Sequence, residues 1–357
     1  MFVLQNHNLT TNATSNKDTL QLIVDILRFD AHESQLKLRL TQAKDTDWDQ
    51  LVSIASGHLV LTAVYCRLEQ KQLLEALPKD LITYLRELTN INRARNQGLI
   101  SEAQLVANIL ERNGIEYAFI KGMGLLLSNC YQDLGERMIG DFDILVPEKD
   151  IDFAFQLLID NGYDQLIGFN YENTGFRHLD RQVNPERLAA IELHRDVLIS
   201  GHRELLDLSA IIQDKRFENG TFVASKKHLG QINILTTQLN DDSFYFNRLN
   251  FKNVYDSLVL WKNKDFSDVK EFKSNPYISR YLSLLQVWNL KTGFHENAWL
   301  DRFHTQFYQF KINRKPLEVA EYRVKVIILD VSRRLKLFIT NTSYRKHILK
   351  NKIFSKS

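Results

Sequence analysis

The chain has 357 residues, 44% of them hydrophobic and 25% charged, proportions of a globular protein that exclude disordered and fibrous classes. At roughly 150 residues per domain, this length implies two or three folding units that bury a core without help from disulfides or metal. The 46 Lys and Arg against 43 Asp and Glu leave a net charge of +3, too even to coat nucleic acid through bulk charge, so a nucleic-acid partner would need a local site.

Two cysteines, Cys66 and Cys130, lie in apolar surroundings without the CxxC spacing of a zinc site, and they are too few for a disulfide framework. The opening stretch MFVLQNHNLTTNATSNKDTL lacks a basic start followed by an apolar core and does not read as a signal peptide. No apolar run approaches the roughly 18 residues of a membrane span. A soluble, cytoplasmic protein is the expectation. Only 5 prolines and 14 glycines leave few punctuators for many short strands, so helix should dominate.

In chain order, residues 1–17 are polar and without period and read as a flexible arm. From 18 to 114 apolar residues recur at three and four spacing, a helical region with Gly114 placed as a C-terminal cap. The character changes at 115. Ile115–Ile120 is short and β-prone and leads through Lys121-Gly122-Met123-Gly124 into an apolar helical stretch. Asp141–Val146 reads as a second strand stopped by Pro147, followed by a helix ending at Gly162. Residues 176–197 suggest two more strands around the turn residues Asn184 and Pro185. Mixed α/β structure is therefore expected over 115–205, and the helical period returns over 206–357, ending in a basic tail with Arg345, Lys346, Lys350, Lys352 and Lys356. That tail reads as a solvated end or as a contact for a phosphate-bearing partner.

Asp-x-Asp occurs four times, and Asp45/Asp47, Asp47/Asp49 and Asp150/Asp152 all sit where acids complement the start of a helix. Asp141 and Asp143 differ because they open a β-prone run. Strand alternation points both carboxylates to one face and Phe142 and Ile144 to the other. The pair reads either as a solvated strand end or as a pincer for Mg²⁺, a hard ion that prefers oxygen ligands. Lys121-Gly122 reads as an ordinary strand-to-helix turn or as a phosphate cradle of backbone N–H groups and an ammonium. Arg137 reads as a surface arginine or a phosphate clamp. In Ala190–His194, Glu192 and His194 share one strand face, either as solvent-facing polar alternation or as a third carboxylate and a histidine beside the pincer.

The order of these pieces resembles the uncharacterised nucleotidyltransferase family of the DNA polymerase β-like superfamily: a KG turn after a strand, an Arg shortly before an Asp-h-Asp-h-h-h strand (h apolar), a helix ending in Gly-Tyr, and a later h-Glu-h-His strand. The helical flanks are similar too. The resemblance implies an α+β fold, a short mixed sheet with helices between helical N- and C-terminal regions. It further implies two Mg²⁺ ions held by the catalytic acids Asp141, Asp143 and Glu192, with Glu192 nearest the acceptor, where it helps deprotonate the nucleophile, and a nucleoside triphosphate held by Lys121, Gly122 and Arg137. His194 would line the site. The reaction implied is transfer of a nucleoside monophosphate to a hydroxyl of a small molecule, protein or RNA. The superfamily's Gly-Ser turn is Gly122-Met123 here, so no serine hydroxyl reaches the phosphate at that point, and the spacing from Gly122 to Asp141 is long. The rival readings are a non-catalytic nucleotide-binding or protein-interaction module on the same fold, and a nucleotidyltransferase toxin of a toxin–antitoxin pair.

Overall fold

Residues 16–172, 175–262, 275–292 and 299–350 are described by a computed structural model. The arm expected over 1–17 lies outside the described residues as far as 15, while Asn16 and Lys17 already belong to the first helix. The apolar periodicity of the N-terminal region forms α1 (Asn16–Leu27), α2 (Glu33–Thr41), α3 (Asp45–Gly57), α4 (Leu61–Gln70) and the 34-residue α5 (Lys79–Arg112). Asp80 in the first turn of α5 and Arg112 in its last complement the helix dipole. Gly114 ends the run at φ +70°, a left-handed conformation that glycine adopts without a Cβ penalty, and the Ile115 N–H closes back on the Leu110 carbonyl.

The sheet begins with β1, reduced to Ala118–Phe119, and continues through α6 (Lys121–Leu127), β2 (Asp141–Leu145), α7 (Ile151–Asp160), β3 (Gln165–Ile167), β4 (Arg181–Val183) and β5 (Ala190–His194). After α8 (Leu208–Gln213) come β6 (Arg216–Glu218) and β7 (Thr221–Val223). The seven strands lie in the order β3-β4-β5-β2-β1-β7-β6, a mixed sheet with helices around it, and the fold class is α+β. Strand β2 pairs in parallel with β5, and β1 is antiparallel to β2 but parallel to β7. The sheet extends beyond the 115–205 interval that the sequence marked as mixed α/β. Strands β6 and β7 come from residues 216–223, and each has only three residues, too few for alternation to register as a period.

Helices α9 (Lys226–Leu235), α10 (Ser243–Phe246), α11 (Phe251–Leu260), α12 (Pro276–Gln286), α13 (Trp299–Ile312), α14 (Lys315–Thr340) and α15 (Thr342–Ile348) complete the described chain. One contiguous core runs from Leu22 to Ile312 and takes side chains from the N-terminal helices, the sheet and the C-terminal helices. Cys66 and Cys130 are buried in it as free thiols. Helix α14 stands apart. None of its residues is buried, and Val324, Ile327, Ile328, Val331, Leu335 and Ile339 are exposed. No single helix among the described residues is long and apolar enough to cross a membrane. Of the basic tail, Arg345 and Lys346 fall in α15, whereas Lys352 and Lys356 lie outside the described residues.

His58, following α3, tests the packing of these layers. Its ring lies 4.8 Å from Phe251 of α11, and its Nδ1 accepts the Phe251 N–H. Burial lowers its pKa from 6.5 to about 4, with a hydrogen bond to Asn250 acting in the opposite direction. The folded state therefore keeps the imidazole neutral where the unfolded chain protonates it. The resulting stability is present above pH 6.5 and lost as the pH falls through about 4. Urea denaturation between those values should show wild type losing about 2–3 kcal/mol more than His58→Gln. Parallel pH profiles would contradict the assignment.

Candidate functional site

The parallel pairing of β2 with β5 sets Asp143 beside Glu192, Ile144 beside Leu193 and Phe142 beside Ile191. Phe142, Ile144, Ile191 and Leu193 are fully buried on one face, and alternation leaves Asp141, Asp143, Glu192 and His194 on the other. Ligand atoms of Asp143, Glu192 and His194 lie within 4.8 Å of one another, a grouping that could hold a metal ion. His194 is fully buried. Its Nε2 is 2.7 Å from Asp143 Oδ1, and its Nδ1 is 3.0 Å from the Asp196 carbonyl oxygen, so each ring nitrogen faces an oxygen.

Lys121 enters the same cluster from the turn after β1. It adopts φ +53°, unusual for a residue with a side chain, and its ammonium donates to Asp143 Oδ1. Gly122 follows at a close approach: an added Cβ would lie 3.2 Å from Ile139 Cδ1 and 3.4 Å from Arg137 Nη2. Met123, at the position of the superfamily's serine, is buried in the core.

Arg137 is brought next to Gly122, but its guanidinium is already engaged. Nε and Nη2 donate to the two Asp256 oxygens of α11 at 2.9 and 3.1 Å, and Nη1 donates to the Met138 carbonyl at 2.6 Å. Both partners are buried, and the Tyr131 hydroxyl also donates to Asp256 at 2.6 Å. Arg137, expected from the sequence to clamp a phosphate, is thus engaged in an interior ion pair with Asp256. A guanidinium held bidentately in the interior has no free fork for a phosphate.

Two site neighbours escaped the sequence reading. Arg181 of β4 faces Glu192 because β4 pairs antiparallel with β5 in the register Gln182 to Ile191. Its Nη2 contacts both Asp141 Oδ2 and Glu192 Oε1, and Nε donates to Glu192 Oε1 at 3.1 Å. The turn at Asn184 and Pro185 was the only signal available, and it fixes a hairpin without fixing its register. Lys252, in the first turn of α11, feels the charges of Arg137, Asp256, Asp241 and Asp141, and among the described residues it makes no ion pair. Burial, reinforced by Arg137, lowers its pKa.

These neighbours split the acids electrostatically. Burial raises the pKa of Asp141, and repulsion from Asp143 and Glu192 adds to the rise. Burial acts in the same direction on Asp143, but Lys121 and His194 outweigh it and hold the carboxyl well below the usual range. Glu192 is likewise brought down to about 2, His194 at 3.7 Å and the charges of His178 and Lys121 overcoming burial.

The segment leading into β2 is held by one face of α5. Asn92 donates to the Gly135 and Arg137 carbonyls, Asn96 to the Leu134 and Arg137 carbonyls, Arg95 to the Ile139 carbonyl, and Arg93 grips Asp133 through two hydrogen bonds. The N-terminal helices thus position the strand that carries Asp141 and Asp143.

The sequence model of a family described as uncharacterised nucleotidyltransferase matches residues 44–272, from the N-terminal helices through the sheet and past α11. No curated protein matches the chain.

Proposed function

The chain belongs to the uncharacterised nucleotidyltransferase family, and on that footing we propose that it is a Mg²⁺-dependent enzyme that moves a nucleoside monophosphate from a nucleoside triphosphate to a hydroxyl acceptor. The observation that carries the proposal is the alignment of Asp143 with Glu192 on neighbouring parallel strands, with Asp141 two residues upstream on the same face. Three carboxylates offering oxygen fit a hard divalent cation. Lys121 and Arg181 compensate the same oxygens and would give way to it. Bound there, Mg²⁺ supplies the positive charge that lowers the pKa of an attacking hydroxyl and neutralises phosphate oxygens.

This chain's residues then take distinct parts. Asp141 and Asp143 hold the cation or a pair of cations. Glu192 stays ionised at neutral pH because its pKa is about 2, which suits a ligand on the acceptor side better than a store for the hydroxyl proton. Lys121, released from Asp143, and Lys252, which has no ion pair among the described residues, are the cations for the triphosphate. Gly122 keeps the backbone beside them free of a Cβ. His194 orients Asp143, and Arg137 braces the loop through Asp256.

The direct test is incubation with each of the four labelled NTPs and Mg²⁺, with cell extract as the source of acceptors. Pyrophosphate release and a labelled product are expected. The compensation of all three acids by Lys121, Arg181 and His194 favours, as a second reading, a nucleotide-binding or interaction module on the same fold. NTP binding without pyrophosphate would select it. Within the enzymatic reading, Glu192→Gln should depress kcat by roughly two to four orders of magnitude and leave the Kd for NTP nearly unchanged. Comparable losses in both would move Glu192 into the nucleotide-binding shell.

A further inference from the structure

Helix α14 is held to the body by Tyr322, whose ring lies 5.1 Å from Phe246, and by Arg333, which donates to Asp242 at 2.7 Å. Just beyond its end, Asn341 donates to the Glu172 carbonyl at 2.9 Å. At about 3.6 residues per turn, Tyr322 and Arg333 project from one side of the helix, and Val324, Ile327, Ile328, Val331, Leu335 and Ile339 project from the opposite side. These six aliphatic side chains recur at spacings of three and four and are 54–63% exposed. Single apolar residues are common on a surface, but a continuous aliphatic stripe on the outer side of a fastened helix marks an interaction face.

The charge around the stripe has one sign. From Arg323 to Ser357 ten Lys and Arg stand against a single acid, Asp330, which Arg334 already pairs at 2.9 Å. With the whole chain at only +3, the residues before Arg323 are net negative, so the positive charge is concentrated here. By the same helical spacing Arg323 borders the stripe on one side and Lys336 on the other. Among the described residues neither makes an ion pair, and the same holds for Arg345, Lys346 and Lys350. An RNA would match this charge but leave the aliphatic stripe in water. A second copy would cover the stripe but set its unpaired border cations against those of the first. An anionic bilayer surface answers both features, because the aliphatic side chains enter the acyl boundary while Lys and Arg reach headgroup phosphates.

We propose that the outer face of α14, together with the basic residues that follow it, docks the protein on an anionic phospholipid surface, with the helix lying in the plane of the headgroups. The surface is separate from the acid cluster on the sheet, and the proposal does not depend on the reaction assigned above. The basic residues at 345–356, which the sequence left as a solvated end or a contact for a phosphate-bearing partner, then meet the phosphates of the lipid headgroups.

Co-sedimentation of the full chain with vesicles tests it, using phosphatidylcholine alone and an equal mixture of phosphatidylcholine and phosphatidylglycerol. Wild type should bind the mixed vesicles at least tenfold more tightly than the neutral ones and should lose binding as salt is raised. The triple variant Ile327→Ser, Val331→Ser, Leu335→Ser should weaken binding at least tenfold while keeping the wild-type Tm, since all three side chains face outward. Lys336→Gln combined with Lys346→Gln and Lys350→Gln should weaken it about tenfold. Absence of vesicle binding by wild type, equal binding to neutral vesicles, or a triple serine variant that binds like wild type would overturn the proposal. Light scattering and thermal melts without vesicles identify the other occupants. A dimer that the triple variant dissociates would assign the stripe to a second copy, and a Tm lowered by the triple variant would assign it to another segment of this chain. Either result would also overturn the proposal.

Discussion

Asp143→Asn is expected to reduce nucleotidyl transfer by about three orders of magnitude, the scale of several kcal/mol of lost charge stabilisation around a divalent cation. It should also destabilise the metal-free protein by about 1–3 kcal/mol, because Lys121 and His194 lose the carboxylate that both of them contact. Asp141→Asn should remove activity to a similar degree with the opposite effect on stability. The fold raises the pKa of Asp141, so its ionisation costs stability as the pH rises above 3.8, and the neutral amide escapes that cost. The two variants can be compared by urea denaturation without metal and by the Tm shift that Mg²⁺ and NTP induce together. Stability changes of the same sign would refute the electrostatic division of the pair. Full retention of the ligand-induced shift in both would refute their assignment to the metal.

Arg137→Ala should lower stability by about 3–5 kcal/mol, because it leaves Asp256 charged and unpaired in the interior. That exceeds the roughly 1–3 kcal/mol of one lost charge-assisted contact to a phosphate. Asp256→Ala should cost about as much and should also leave the Tyr131 hydroxyl without its acceptor. The double substitution Arg137→Met with Asp256→Leu should recover a large part of either loss, since an apolar pair removes the burial of both charges. If instead Arg137→Ala unfolds like wild type in urea and binds NTP weakly, Arg137 is a phosphate ligand and its contact with Asp256 is incidental.

Arg137 also shows where local sequence loses its reach. Its place shortly before Asp141 is legible, but its partner lies 119 residues further on in α11, and no pattern around either residue announces the pair. Lys252 belongs to the same blind spot. In the sequence it belongs to the first apolar turn of a helix, and only the packing of α11 brings it near the acids. Helix α14 is the converse case. Its apolar periodicity predicts a helix correctly, but periodicity does not specify what covers the face, and none of its residues is buried.

The α+β class and the sharing of one strand face by Asp141 and Asp143, and of another by Glu192 and His194, follow from the sequence alone. Strand alternation is a property of the backbone and needs no neighbour. The glycine ends at Gly114 and Gly162 are equally local, since a left-handed residue favours glycine wherever the chain leaves a helix. Tertiary structure decided the rest: that β2 and β5 are adjacent and parallel, that Arg181 stands opposite Glu192, that β6 and β7 complete the sheet, and that α5 grips the loop before Asp141. Each of these depends on strand register or on contacts between residues far apart in the chain. Such contacts are selected by the burial of a shared core, so their energy is not carried by any one segment.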